Sequence, residues 1–199
     1  MKKISYFKEA MLQVTIVAAM LLTVSCNNSQ TPRDTKEIAE DHNDAEFTNN
    51  KQERDAQFLV NAAEINLEQI QLGKLAQQIG RTTHVKDLGK MMEDAHTKSQ
   101  KDLTALANSK MITIPTSATD NAKDAYNRLN EKSGDDFDKT YADMMVNSHK
   151  DAIDAFENAS TDSYNAEIKN WATLSLPDLR KNLDLSIECQ KKCDTVNTK

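Results

Sequence analysis

Leu88-Gly89-Lys90-Met91-Met92-Glu93-Asp94-Ala95-His96, with Leu103 seven residues on, has an echo in Tyr141-Ala142-Asp143-Met144-Met145-Val146-Asn147-Ser148-His149, with Phe156 seven residues on. The shared pattern is Met-Met-x-x-x-His followed by a large apolar residue. It is embedded in two stripes at helical spacing: Val85, Leu88, Met92, His96, Ser99, Leu103 and Leu106, then Phe137, Tyr141, Met145, His149, Ala152 and Phe156. Each stripe is the inner face of a long amphipathic helix, and each histidine falls near the middle of its helix. Mid-helix positions share a depth whichever way two helices run, so the two imidazoles are expected to approach one another in a core.

Two further stripes flank this pair. Phe58, Ala62, Ile65, Gln69, Leu72, Ala76 and Ile79 mark a helix that starts near Lys51 and stops at Gly80, with Thr82 or Thr83 capping the next. Ile168, Trp171, Leu179, Leu183 and Ile187 mark a last helix, capped by Asp162. Pro177 lies inside it; either the helix kinks there or a new one starts with Ser175 as cap. Between the central stripes, Ile112-Thr113-Ile114-Pro115 reads as an extended connection. Ser117-x-x-Asp120 caps a short helix to about Lys132, and Gly134 breaks the chain before Asp135 starts the third long helix. Four glycines, three prolines and an abundance of Ala, Leu, Lys, Asp, Glu and Asn favour helix throughout. The expected fold is all-α: a four-helix bundle over residues 51–193 with a short extra helix in the crossover.

The first 26 residues read as an address. Lys2, Lys3 and Lys8 precede a mostly apolar run, Met11–Leu22, then Leu22-Thr23-Val24-Ser25-Cys26. Residues 1–25 have the layout of a secretory signal peptide, with an apolar run too short to span a bilayer. A cysteine directly after the cut resembles a bacterial lipoprotein signal, which makes Cys26 the lipidated residue and the membrane a partner through that anchor. Residues 26–50 carry few apolar side chains beyond Ile38 and Phe47, so they are expected to be a flexible tether spanning about 25–30 Å. Asn27 and the lack of an immediate acidic run suggest an outer-membrane lipoprotein facing the periplasm. Removing residues 1–25 takes away three lysines and Glu9, a net +2, and moves the formal charge from −6 to −8. That balance argues against nucleic acid and anionic head groups as partners. The sequence specifies no protein partner.

Phe58 with Ala62-Ala63, Glu68 with Leu72-Gly73-Lys74-Leu75-Ala76, Met92 with His96, Phe137-Asp138 with Tyr141 and His149, and Leu176-Pro177 with Leu179 together resemble the exported bacterial family called domain of unknown function 4142, over roughly residues 51–192. The resemblance implies a ferritin-like four-helix bundle in the cell envelope and no established activity. In that family an acidic residue commonly precedes the first histidine, where this chain has Ala95. A histidine commonly follows Leu-Pro by five residues, where this chain has Asn182.

The chemistry available is sparse. A ferritin-like di-metal centre needs a carboxylate from each of two helices and Glu-x-x-His from each of the other two. Glu93-Asp94-Ala95-His96 supplies one such motif, but Val146 stands where the second glutamate belongs. Glu68, Glu93, His96 and His149 are therefore candidates for at most a single divalent ion, against a reading of both histidines as satisfied core residues. Adjacent methionines point about 100° apart on a helix, so neither Met pair suits one copper ion. Cys189 and Cys193 sit four apart on one helical face and could form a local disulfide, though a redox or metal role needs further partners. No nucleophile elbow, glycine-rich loop or cysteine beside a histidine is visible, and the many Asp and Glu residues, 135–138 among them, read as solvated faces. The expectation is a non-catalytic, envelope-tethered bundle with a structural or partner-binding role, stress response included, and no cofactor. The alternative is a ferritin-like metal binder using the partial His/Glu core.

Overall fold

The computed structural model describes residues 33–196, so residues 1–25, expected to be a signal peptide, and Cys26 lie outside the described residues. Those described form six helices and no strand: α1 Thr35–Glu46, α2 Asn50–Ile79, α3 Thr83–Ser109, α4 Asp120–Asn130, α5 Gly134–Asp162 and α6 Ala166–Val196. None of these helices is long and apolar enough to cross a membrane. Four are long. Short turns join α2 to α3 and α5 to α6, and each of these pairs packs along its length; α1 and α4 lie mainly against α2, while α3 meets α6 only sparsely.

The α2–α3 contact is unusually close because both faces carry glycine. A Cβ on Gly73 would stand 2.6 Å from the Gly89 carbonyl oxygen, and one on Gly89 would stand 2.7 Å from the Gly73 carbonyl oxygen. Two buried aspartates then fasten the turns. Asp138 of α5 accepts from the backbone N–H groups of Arg81 and Thr82 at 2.8 and 2.9 Å, and from the Thr82 hydroxyl. Asp55 of α2 does the same for the opposite turn, accepting from Tyr164 and Asn165 N–H at 3.0 and 2.7 Å. Each hairpin's turn is thus held by a carboxylate from the other hairpin. Asp138 is not on a solvated face as its acidic neighbours suggested, and Asp135 pairs with Arg81 at 2.5 Å.

Several local expectations need correction. Residues 35–46 are a helix rather than flexible tether. Asp34 caps it by accepting from Lys36 N–H at 3.0 Å. Ala39 is buried, and the Asn43 amide pairs both ways with the Thr113 backbone at 2.8 Å. The segment looked unanchored because its docking is polar: Asn43 on the extended connection, Lys36 on Glu64, Gln57 on Glu40. α4 is capped by Thr119 rather than Ser117. α6 is capped by Asn165 rather than Asp162, its Oδ1 accepting from Glu167 and Ile168 N–H. Pro177 neither ends nor restarts α6, which runs through it.

The core is divided into two apolar clusters. One gathers Leu59, Ala63, Leu103, Phe156, Ile168 and Leu179; the other gathers Leu72, Met92, Leu129, Phe137, Tyr141 and Met145, with Cys189 and Cys193. On every long helix the apolar stripe is interrupted between the clusters by buried polar residues: Asn66 and Gln69 on α2, His96 on α3, His149 on α5, Asn182 and Ser186 on α6. These interruptions fall at one level and form a polar layer across the bundle.

Candidate functional site

The polar layer is centred on the two histidines. His96 and His149, 3% and 1% exposed, face each other with Nε2 atoms 3.3 Å apart and rings nearly edge to face. Their outer nitrogens are also engaged: His149 Nδ1 lies 2.8 Å from the Met145 carbonyl oxygen, and His96 Nδ1 lies 2.8 Å from Asn66 Oδ1. Proton positions follow from the partners. A carbonyl only accepts, so His149 carries its proton on Nδ1 and offers a lone pair at Nε2. His96 Nε2–H donates into that lone pair, which leaves His96 Nδ1 as an acceptor. A half-turn of the Asn66 amide exchanges its oxygen and NH₂, and the neutral pair requires NH₂ at that position, with Gln100 turning in step. Burial reinforces neutrality. It pulls His96 down to about 3, the neighbouring imidazole adding to the effect, and it lowers His149 against the opposing hydrogen bond to Met145.

A cleft of about 320 Å³ opens onto the His96 side of this dyad where α3 and α6 draw apart. His96 and Asn66 line its inner wall. Phe156, Trp171 and Leu179 give it an apolar side, and Asp102, Asp178 and Asn182 a polar one. Leu174, 67% exposed, also lines it. Asn182 therefore shares the cleft with His96, while the direct partner of His96 is Asn66.

The two candidate carboxylates do not join the dyad in a ligand group. Glu93 accepts from Gln77 at 2.7 Å and lies 3.9 Å from Lys74. Glu68 is influenced by Glu64 and Arg128; burial first, and then the Glu64 charge, raise it to about 7. Two imidazoles without a third ligand do not make a closed metal site. The methionine pairs split as helix geometry requires, with Met92 and Met145 in the core and Met91 exposed.

Among the described residues, one group of three or more ligating side chains does come together, and it lies elsewhere: His84, Cys189 and Cys193, whose ligand atoms all lie within 4.8 Å of one another. Both cysteines are free thiols. Cys193 Sγ is 3.5 Å from His84 Nε2, and Cys189 Sγ is 4.0 Å from the His84 carbonyl oxygen. The thiols share a hydrogen bond that raises Cys189 as donor and lowers Cys193, which His84 lowers further, to about 7. A cysteine beside a histidine was thus present after all. The sequence hid it because His84 lies off the apolar stripe of α3 and the two cysteines are more than a hundred residues downstream.

The family model described as Domain of unknown function (DUF4142) matches residues 39–186. The chain belongs to that family. No curated protein and no solved structure matches it. The DUF4142 match begins inside α1, so part of the segment expected as tether belongs to the family's domain. It includes both histidines of the dyad and stops short of Cys189 and Cys193. The central layer is therefore inside the DUF4142 unit, whereas two of the three members of the end cluster lie beyond it.

Proposed function

We propose that this DUF4142 protein is a non-catalytic binding bundle, arranged in the ferritin manner and held at the cell envelope by a lipid on Cys26. The ferritin-type arrangement is supported by two helical hairpins joined through a long crossover that carries α4. The envelope address is supported by the basic and apolar start and by Cys26, and the periplasmic side of the outer membrane by Asn27 and the lack of an immediate acidic run after it. The observation that carries the binding role is the cleft between α3 and α6. It has the volume of a small-ligand site, an aromatic wall and a polar wall, and a neutral, hydrogen-bonded floor with no group poised to move a proton at neutral pH. A compact amphipathic molecule without strong negative charge fits that lining, because Asp102 and Asp178 stand on its polar side.

Trp171 is the sole tryptophan and lines the cleft, so it reports occupancy. The neutral probe N-phenyl-1-naphthylamine should bind at one equivalent and take energy from Trp171. Ala95→Trp, which crowds the cleft, should abolish saturable binding of the probe. Probe fluorescence that is unsaturable, or unchanged in Ala95→Trp, would contradict the reading. The anchor has its own test: Cys26→Ser should release the protein from the membrane fraction or block its processing, and unchanged attachment with normal cleavage would contradict it.

A further inference from the structure

The end of the bundle where α3 begins and α6 ends gathers three ligating groups, unlike the central layer. His84 comes from the first turn of α3, Cys189 and Cys193 from successive turns of α6. We propose that His84, Cys189 and Cys193 form a zinc site that binds the ion through one imidazole and two thiolates and leaves a fourth position for water. A tetrahedral ion with Zn–S about 2.3 Å and Zn–N about 2.0 Å sets sulfur and nitrogen about 3.5 Å apart. The Cys193 Sγ to His84 Nε2 separation is 3.5 Å, and no ligand pair in the group exceeds 4.8 Å.

Three surrounding features support the assignment. Asp138 fixes the Arg81–Thr82 backbone and the Thr82 hydroxyl, and so sets the start of α3 that carries His84. Its buried carboxylate, with two thiolates, favours a dication over a monovalent ion, because zinc(II) cancels the thiolate charge and copper(I) leaves it negative. Tyr141 is fully buried in the same cluster, its hydroxyl has no hydrogen-bond partner, and it lies close enough to Cys189 to feel a thiolate there. Water in the fourth position is a candidate for that missing partner. On binding, both thiol protons leave to solvent, and no oxidant or reductant is involved.

The full chain, kept reduced with a non-chelating phosphine and stripped of metal, should take up one equivalent of zinc. Cobalt(II) in its place should give thiolate charge-transfer bands and the visible bands of a tetrahedral ion. Cys189→Ser and Cys193→Ser, each checked for helix content, should weaken zinc by at least about 100-fold, the upper end of what loss of an outer-shell partner alone produces. His84→Gln should weaken it as well, and the double variant His96→Gln/His149→Gln should bind as wild type does. Zinc should also slow iodoacetamide alkylation of both thiols in the wild-type chain, a reading that needs no variant. Failure to bind zinc, zinc retained when both cysteines are serine, loss of zinc in the His96/His149 variant, or capture of copper(I) without zinc would each overturn the proposal. None of these results bears on the cleft, whose occupant is tested separately by Trp171.

Discussion

The two histidine clusters differ in what surrounds them. At the centre, His96 and His149 are locked between two apolar clusters, and every ring nitrogen has a partner: each other, the Asn66 amide and the Met145 backbone carbonyl. At the end, His84 is half-buried, its thiol neighbours lie near the terminus of α6, and the buried Tyr141 hydroxyl beside them has no partner. An unpartnered buried atom does not separate the two, since Gln69 Oε1 in the central layer lacks a partner as the Tyr141 hydroxyl does. What separates them is that only the end brings three ligating side chains together among the described residues. The His84 ring is engaged too, its Nε2 lying 3.2 Å from the Thr82 hydroxyl oxygen and 3.5 Å from Cys193 Sγ. But it is half-buried and a ligand can displace those contacts, whereas the central rings are sealed in the core.

The largest effects should come from the apolar clusters that clamp the centre. Leu103→Ala above the polar layer and Leu72→Ala below it should each cost about 2–5 kcal/mol in chemical unfolding. Because the two residues belong to separate clusters, the double variant should be additive within about 0.5 kcal/mol. Strong coupling between them would show that the polar layer does not divide the core. Gly89→Ala comes next, since its methyl would meet the Gly73 carbonyl; a loss of about 1–3 kcal/mol is expected, and a neutral result would mean that α2 and α3 part easily.

Exchanging histidines sharpens the contrast directly. His96→Asn leaves the His149 lone pair buried without its donor and should cost about 1–3 kcal/mol. His84→Asn, at a half-buried position, should cost less than about 0.5 kcal/mol in metal-free protein. Equal costs would erase the distinction between the sites.

The pH effects of the two buried groups have opposite signs. His96 has a folded value near 3, below its unfolded 6.5, so the unfolded chain binds more protons between them; stability should be full above 6.5 and fall as pH drops toward 3. Glu68 has a folded value near 7, above its unfolded 4.5, so its contribution should be present below 4.5 and lost as pH rises to 7. Glu68→Gln should remove that second slope and leave the first.

Much of the helical framework was legible because periodicity carries it. The four long stripes, the Asn49–Asn50 start near Lys51, the stop at Gly80 and the meeting of His96 with His149 all follow from spacing alone. What spacing does not carry is polar docking. Asn43 anchors α1 by imitating a backbone neighbour to Thr113, so a segment with few apolar residues still packs. Asp55 and Asp138 look like any helix-start acid until the turn of the other hairpin is placed against them. Asn66, the partner of His96, lies off the stripe read for its helix, and Cys189 and Cys193 acquire a histidine only when α3 begins at the end of the bundle where α6 finishes.

The most direct test of the contrast is nitrogen-15 NMR of the histidine side chains in the full chain, followed from pH 8 to pH 5. The account predicts that His96 and His149 stay neutral throughout, His149 protonated on Nδ1 and His96 on Nε2, with shifts unchanged when zinc is added, while His84 responds to the metal. Titration of either central ring near 6.5, or a zinc-dependent shift at His96 or His149, would contradict it.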